Sequence, residues 1–167
     1  MKHFIYAGII ALMILVSLPA SVSAALTDTV VVSGSIGGSL SVAVTPDTGV
    51  SWGAMNVGTK SDLTTADLSV VTTYPAWHVD ATDANVSHKG YMYDTATTYK
   101  LASPFQISNN GGTTWTAMTG IFTNYAQKTS NGAGTWPFDI GLQQVISATD
   151  SAASNYQITI TFTGAAS

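Results

Sequence analysis

The sequence predicts an all-β protein, folded as a single antiparallel sandwich of two sheets and preceded by an N-terminal signal-peptide helix. Three observations predict it. Apolar and polar residues alternate with a period of two in several short segments, and clusters of Gly, Asn, Asp and Pro separate those segments. After Ala24, no window of a dozen residues carries the 3.6-residue apolar period of a helix. The abundance of Thr and Val points the same way, because β-branched side chains fit a pleated surface. Short strands with frequent turns lead to Greek-key, immunoglobulin-like connections, whereas an outer-membrane barrel needs even strands of about ten residues between aromatic girdles. The chain lacks a repeat of fixed period, which argues against a propeller or solenoid.

Residues 1–24 begin with Lys2 and His3, continue through an apolar run over 4–18, and end in Pro19 and small residues up to Ala24. This is the pattern of a secretory signal peptide, since the apolar run falls short of the roughly 20 residues that cross a bilayer as a helix. The alternative is an uncleaved anchor. Cleavage after Ala24 leaves one domain, residues 25–167, long enough to build a core without disulfides. Its first segment, Thr29, Val30, Val31, Val32 and Ser33, is strongly strand-forming and is followed by Gly34, Gly37 and Gly38. It is expected either to pair within its own sheet or to be donated as a strand to a neighbouring subunit.

The next alternating strand is 40–45, with Leu40, Val42 and Val44 on one face. A strand ending near Trp52 and a turn over 56–58 lead to a strand over 67–72. Trp77, Val79 and Ala81 alternate with His78, Asp80 and Thr82, so that strand buries one face. Further strands are expected over 105–108, 114–118 and 138–146. In the closing strand, Tyr156, Ile158, Ile160 and Phe162 alternate with Gln157, Thr159, Thr161 and Thr163 in an unbroken run. Two long loops are expected, 85–100 with Tyr91, Tyr93 and Tyr99, and 124–137, rich in Gly, Ser and Thr. Long loops are where binding residues concentrate.

Composition narrows the chemistry. The chain is 46% hydrophobic and only 8% charged, and contains no Cys, no Glu and no Arg. Thiolate nucleophiles, Cys-ligated zinc and the His-Glu-x-x-His metalloprotease helix are thereby excluded. The bidentate Arg fork used to read phosphates and bases is also missing. With a formal charge of −4 and no basic cluster, nucleic acid is not an expected partner.

Ser108, Asn110, Gly112, Thr114 and Trp115 fit the Ser-x-Asp-x-Gly-x-Thr-Trp pattern of an Asp-box, with Asn110 in the Asp place. The resemblance implies a structural hairpin in which Asn110 bonds turn amides, Gly112 takes a positive φ and Trp115 covers the turn. Residues 53–61 approach a phosphate-binding loop, but Lys60 is one residue too far from Gly58 and no helix follows. His78 and His88 lack the context of a catalytic base, and no Gly-x-Ser-x-Gly elbow supplies a nucleophile. The Asp residues show no calcium-loop spacing, so neither metal nor cofactor is expected. Asn85 heads the Asn-x-Ser sequon and is a candidate glycosylation site on a loop. Trp136, with Tyr91 and Tyr93, is the candidate glycan contact, because an exposed ring face packs against a pyranose.

The order of features resembles the WxL-type cell-surface domain of Gram-positive bacteria: Trp52 with Gly53, a short strand at 67–70, then Trp77 and Val79, with Trp136, a strand through 139–142 and the closing run to Thr163. Val79 stands where the family has Leu, and Phe162 where its second Trp is found. The resemblance implies a non-enzymatic sandwich held noncovalently on the outer surface. Similar patterns occur in subunits of surface fibres and biofilm matrix. The expected function is therefore a secreted or cell-surface structural or adhesion protein. It acts by association with envelope polymer, with surface proteins or with itself, as a fibre subunit joined by N-terminal strand donation. A carbohydrate-binding module is the other expectation.

Overall fold

The computed structural model describes residues 37–153 and 155–167. The signal segment 1–24 and the candidate donor strand of Thr29, Val30, Val31 and Val32 lie outside the described residues. Ten strands follow in chain order: β1 (Leu40–Thr45), β2 (Gly58–Thr72), β3 (Trp77–Asp83), β4 (Tyr93–Asp94), β5 (Gln106–Ser108), β6 (Thr116–Ala117), β7 (Ile121–Lys128), β8 (Gly134–Ile146), β9 (Tyr156–Gln157) and β10 (Ile160–Ala166). No helix occurs among the described residues. The strands make a five-stranded sheet in the order β1-β2-β8-β5-β6, a three-stranded sheet in the order β10-β3-β7, and a β4-β9 pair. Every pairing is antiparallel.

In β3 the period of two is complete, with Trp77, Val79, Ala81 and Asp83 buried and the residues between them half-buried. Leu68 and Val70 of β2 and Ile140 of β8 bury the inward face of the larger sheet, and all belong to one core with the β3 residues. Contacts between the sheets close that core. Trp77 of β3 meets Phe138 of β8 edge-on at 6.1 Å across the layers, while Tyr125 of β7 meets Phe162 of β10 at 5.1 Å within the smaller sheet. The Tyr125 hydroxyl donates to the Ser108 carbonyl at 2.8 Å. Burial, with the Asp139 carboxylate adding to it, pushes that hydroxyl's pKa up, which keeps it a donor. At the other edge Gly164 of β10 lies so close to β1 that a Cβ there would meet Val42 at 2.6 Å.

Four elements differ from the sequence expectation. β2 starts at Gly58, nine residues before the expected strand, and pairs with β8 from Gly58↔Ile146 to Thr72↔Gly134. Its first half is exposed on both faces except at the half-buried Asp62, so no apolar alternation marks it. Between Asp62 and Ala66 the register shifts. There the Asp62 carboxylate accepts the Thr64 and Thr65 amides, both at 3.0 Å, and the Thr65 hydroxyl at 2.6 Å, a local alternative to the ladder. Chiefly the Thr65 hydroxyl, then the Thr64 amide, holds that carboxyl below its ordinary range. Because folding lowers this pKa, the contribution is present at neutral pH and is lost as pH falls through the folded value.

The expected loop 124–137 is instead the end of β7, a short connection over 129–133 and the start of β8. The β7 register shifts against β3 between Val79 and Ala81, and Asn124 takes φ +54°, its amide donating to Asp80 at 2.8 Å. That irregularity breaks the alternation that would have revealed the strand. The closing run is divided, since Tyr156 and Gln157 pair with β4 while Ile160–Ala166 pairs with β3. The side-chain alternation continues across the break, so the pattern hides it. Residues 50–53 form no strand, and Trp52 stacks on Phe105 at 5.8 Å.

β5 and β6 are joined by the Ser108–Trp115 turn. Asn110 Oδ1 accepts the Thr114 amide at 2.9 Å and the Ser108 hydroxyl at 2.8 Å, and the Gly112 amide donates to Ser108 Oγ at 3.0 Å. Gly111 and Gly112 take φ of +65° and +79°. The half-buried Trp115 closes over Gly112, whose added Cβ would lie 3.1 Å from the indole. Asn110→Ala removes the acceptor for two groups in an exposed turn, and is expected to cost about 1 kcal/mol in thermal or urea unfolding. Asn110→Asp, which keeps the acceptor, should lie within about 0.5 kcal/mol of the wild type.

Candidate functional site

At the end of the sheets where β1 finishes and β8 ends, an open cleft of about 1020 Å³ enters the core. Ile140, Leu142 and Ile146 lie at even spacing on β8 and so point to one face, which lines the cleft on the larger sheet. Ile158, Ile160 and Phe162 line it from the side of β10, and Val44 from the end of β1. All four are only half-buried, although their alternation is that of core residues. The segments 49–57 and 147–153 complete the rim.

The two ionisable side chains of the lining are committed to holding its walls. Asp150 accepts the Ala102 amide through one carboxylate oxygen and the Ser147 amide through the other, both at 2.7 Å. The Tyr156 hydroxyl donates to the Ser151 carbonyl at 2.7 Å. Burial, then the charges of Asp150, Asp94 and Tyr99, raises its pKa and keeps it protonated. The Trp52 indole N–H is buried without a hydrogen bond; it helps to hold the Asp62 carboxyl ionised, but from a position outside hydrogen-bond geometry. Asp150 and Tyr156 are the ionisable residues among the described lining. What the cleft offers chemically is an apolar floor of Ile, Leu, Val and Phe beneath a polar rim that includes Ser51, Asn56 and Gln157.

The other candidate residues are dispersed. Trp136, expected on a loop, lies in β8 paired with Val70 and is half-buried. Its indole donates to the Gly132 carbonyl at 2.7 Å, and the Lys128 ammonium sits 3.9 Å from its ring centre. Tyr91 has Lys100 at 4.2 Å from its ring, and Tyr93 stacks on His88 at 4.9 Å. These tyrosines lie beside the far end of β8, where Leu101 bonds Met92 and the Gln144 side chain bonds Ser103. From 136 to 144 a strand runs on the order of 25 Å. The three rings therefore do not share one platform, and a cation or another ring already covers a face of each.

Asn85 is half-buried, and its side-chain oxygen accepts the Ser87 and His88 amides at 2.8 and 2.9 Å. His78 bonds Ser167 at 2.9 Å near the start of β3, whereas His88 follows the end of that strand. Among the described residues no group of three or more His, Cys, Asp or Glu comes together. The sequence reading missed the cleft itself. Its signal was the surplus of alternating apolar residues in 140–146 and 158–162, but a chain reads the same whether such residues meet a partner layer or a gap.

No protein-family model matches this chain, and no curated protein matches it.

Proposed function

We propose that this protein works outside the cell as a non-enzymatic structural or adhesion protein, binding envelope polymer, other surface proteins or itself through the open cleft. The scaffold in this reading is a two-layer, immunoglobulin-like sandwich of Greek-key type, the kind of surface domain the WxL resemblance implies. The signal-peptide pattern of residues 1–24 supports export. The observation that carries the reading is the cleft: about 1020 Å³ of space walled by half-buried Ile, Leu and Phe, with both of its ionisable groups already hydrogen-bonded. An opening of that size, with an apolar floor and a rim that carries Ser, Asn and Gln, is a surface for association.

The test is made in cells producing the full-length chain. Protease added outside intact cells should digest the protein, and the protein should sediment with envelope or matrix material. Ile158→Lys, which places a charge in the cleft wall, should raise the freely soluble fraction at least about tenfold, the loss of roughly 1.4 kcal/mol of binding. A protein shielded inside the cell, or a folded variant that sediments like the wild type, would sink this reading.

A further inference from the structure

We propose that the cleft and the outer edge of β10 receive residues 29–33 of a second copy of this chain as an added β-strand, joining copies head to tail. The inference rests on the reading that the cleft is the site of association, and it names the occupant.

Three observations carry it. First, the sheets are unequal. Three strands face five, and β10, at the edge of the smaller sheet, pairs only with β3. Among the described residues nothing hydrogen-bonds its other edge; the Gly164 end of that edge packs on Leu40 and Val42 of β1, and the open stretch is the other end, whose Ile160 and Phe162 line the cleft. An unpaired edge beside an apolar trough is the requirement for strand addition: the backbone supplies the ladder and alternate side chains fill the trough.

Second, the chain carries a matching segment outside the described residues. Thr29, Val30, Val31, Val32 and Ser33 are strand-forming and uncharged, and Gly34 follows them. The twelve residues from Ala25 to Ile36 could extend to about 40 Å, longer than the seven-residue β10 at roughly 23 Å.

Third, the described chain begins at the end of the domain remote from the cleft. Residues 37–39 prolong β1 beyond the end of β2. The Ser39 carbonyl accepts the Thr73 amide at 3.0 Å, the Ser39 amide donates to the Thr73 hydroxyl at 2.9 Å, and the Thr73 hydroxyl donates to the Gly37 carbonyl at 3.3 Å. Gly38 packs flat on Tyr74, where any Cβ would collide with the ring. At Gly37 the backbone therefore points out of the end that holds Leu40, Thr72 and Gly134. The cleft opens at the opposite end, by Val44, Ile146 and Ile160. A donor segment joined to the domain at one end and a receptor at the other make a heterologous contact, and its repetition produces an open filament wherever the rotation does not close into a ring.

The experiment uses the exported chain and two complementary variants, sized by sedimentation and viewed by negative-stain microscopy. The wild type should form linear polymers. The triple variant Val30→Asp, Val31→Asp, Val32→Asp should be a folded monomer with an intact receptor. Ile158→Lys should be a monomer with an intact donor segment, and Val44→Lys on the opposite wall serves if Ile158→Lys does not fold. Mixing a donor-dead with a receptor-dead variant should yield one-to-one dimers that grow no further. A wild type that stays monomeric at all concentrations, or a mixture that stays monomeric, overturns the proposal. So does a triple variant that polymerises as the wild type does. If that variant still sediments with the envelope while Ile158→Lys does not, association through the cleft stands and strand donation falls.

Discussion

Replacing Trp77 by Ala is expected to lower the melting temperature by roughly 15 °C, a loss of about 3–5 kcal/mol. Trp77 is 1% exposed and is among the largest fully buried side chains. Removing it leaves a cavity against Phe138 that the paired strands β3 and β7 cannot easily close. The indole also donates to the Gly132 carbonyl at 2.9 Å, the same oxygen that Trp136 Nε1 reaches at 2.7 Å. Two indoles thus hold one carbonyl and tie the connection between β7 and β8 to the core. Trp77→Phe should cost less, about 1–2 kcal/mol, because a ring still fills most of the space and Trp136 still satisfies the carbonyl. Combining it with Trp136→Phe should cost more than the sum of the two single changes, since only the pair strips that oxygen of both donors. Urea unfolding of the three variants checks this. A Trp77→Ala protein that melts within about 5 °C of the wild type would contradict it.

Gly90→Ala is expected to destabilise the fold by roughly 3 kcal/mol through backbone strain and overpacking together. Gly90 takes φ +82°, and a Cβ there would lie 2.5 Å from the Thr119 amide nitrogen and 2.6 Å from the Met118 carbonyl carbon. Those neighbours are backbone and cannot rotate aside. Any shift of Gly90 also disturbs two bonds that fasten the 84–92 segment. Its amide donates to the Asp83 carboxylate at 2.7 Å, and its carbonyl accepts the Phe105 amide at 2.8 Å. Asp83 is buried, so a lost partner there leaves a carboxylate oxygen without compensation. The measurement is a thermal melt followed by circular dichroism, with a fall of roughly 10 °C expected. Gly120→Ala, at an exposed glycine with no atom within 4 Å of the added Cβ, is the control and should change little.

Legibility followed the reach of each interaction. Trp77, Val79 and Ala81 showed their inward face in the sequence because alternation along one strand is a local property. Asn110, Gly111 and Gly112 showed their turn for the same reason, since its bonds span only a few residues. The first half of β2 did not. It is a strand because β8 lies beside it, and its own exposed Thr, Lys and Ser carry no pattern. β7 was hidden by the break at Asn124, which changes the phase of burial within one strand. Trp136 was misplaced because Gly134 and Pro137 read as loop residues. Yet Pro137 lies within a paired strand, opposite Ser69.

The cleft was the least legible feature. Ile140, Leu142, Ile158, Ile160 and Phe162 look like core in the sequence, and in part they are. That they also line an opening depends on how many strands each layer holds.

Residue order is enough for the strand-rich class, the inward faces and the tightest turn, and composition removes whole kinds of chemistry. Which strands are neighbours, that five face three, and that an opening into the core lies at the end remote from Gly37 emerge once the chain is folded. The reason is that side-chain periodicity is written residue by residue, whereas strands are joined by backbone N–H and C=O groups that are the same for nearly every residue. The partner of each edge is therefore selected by packing across the whole domain.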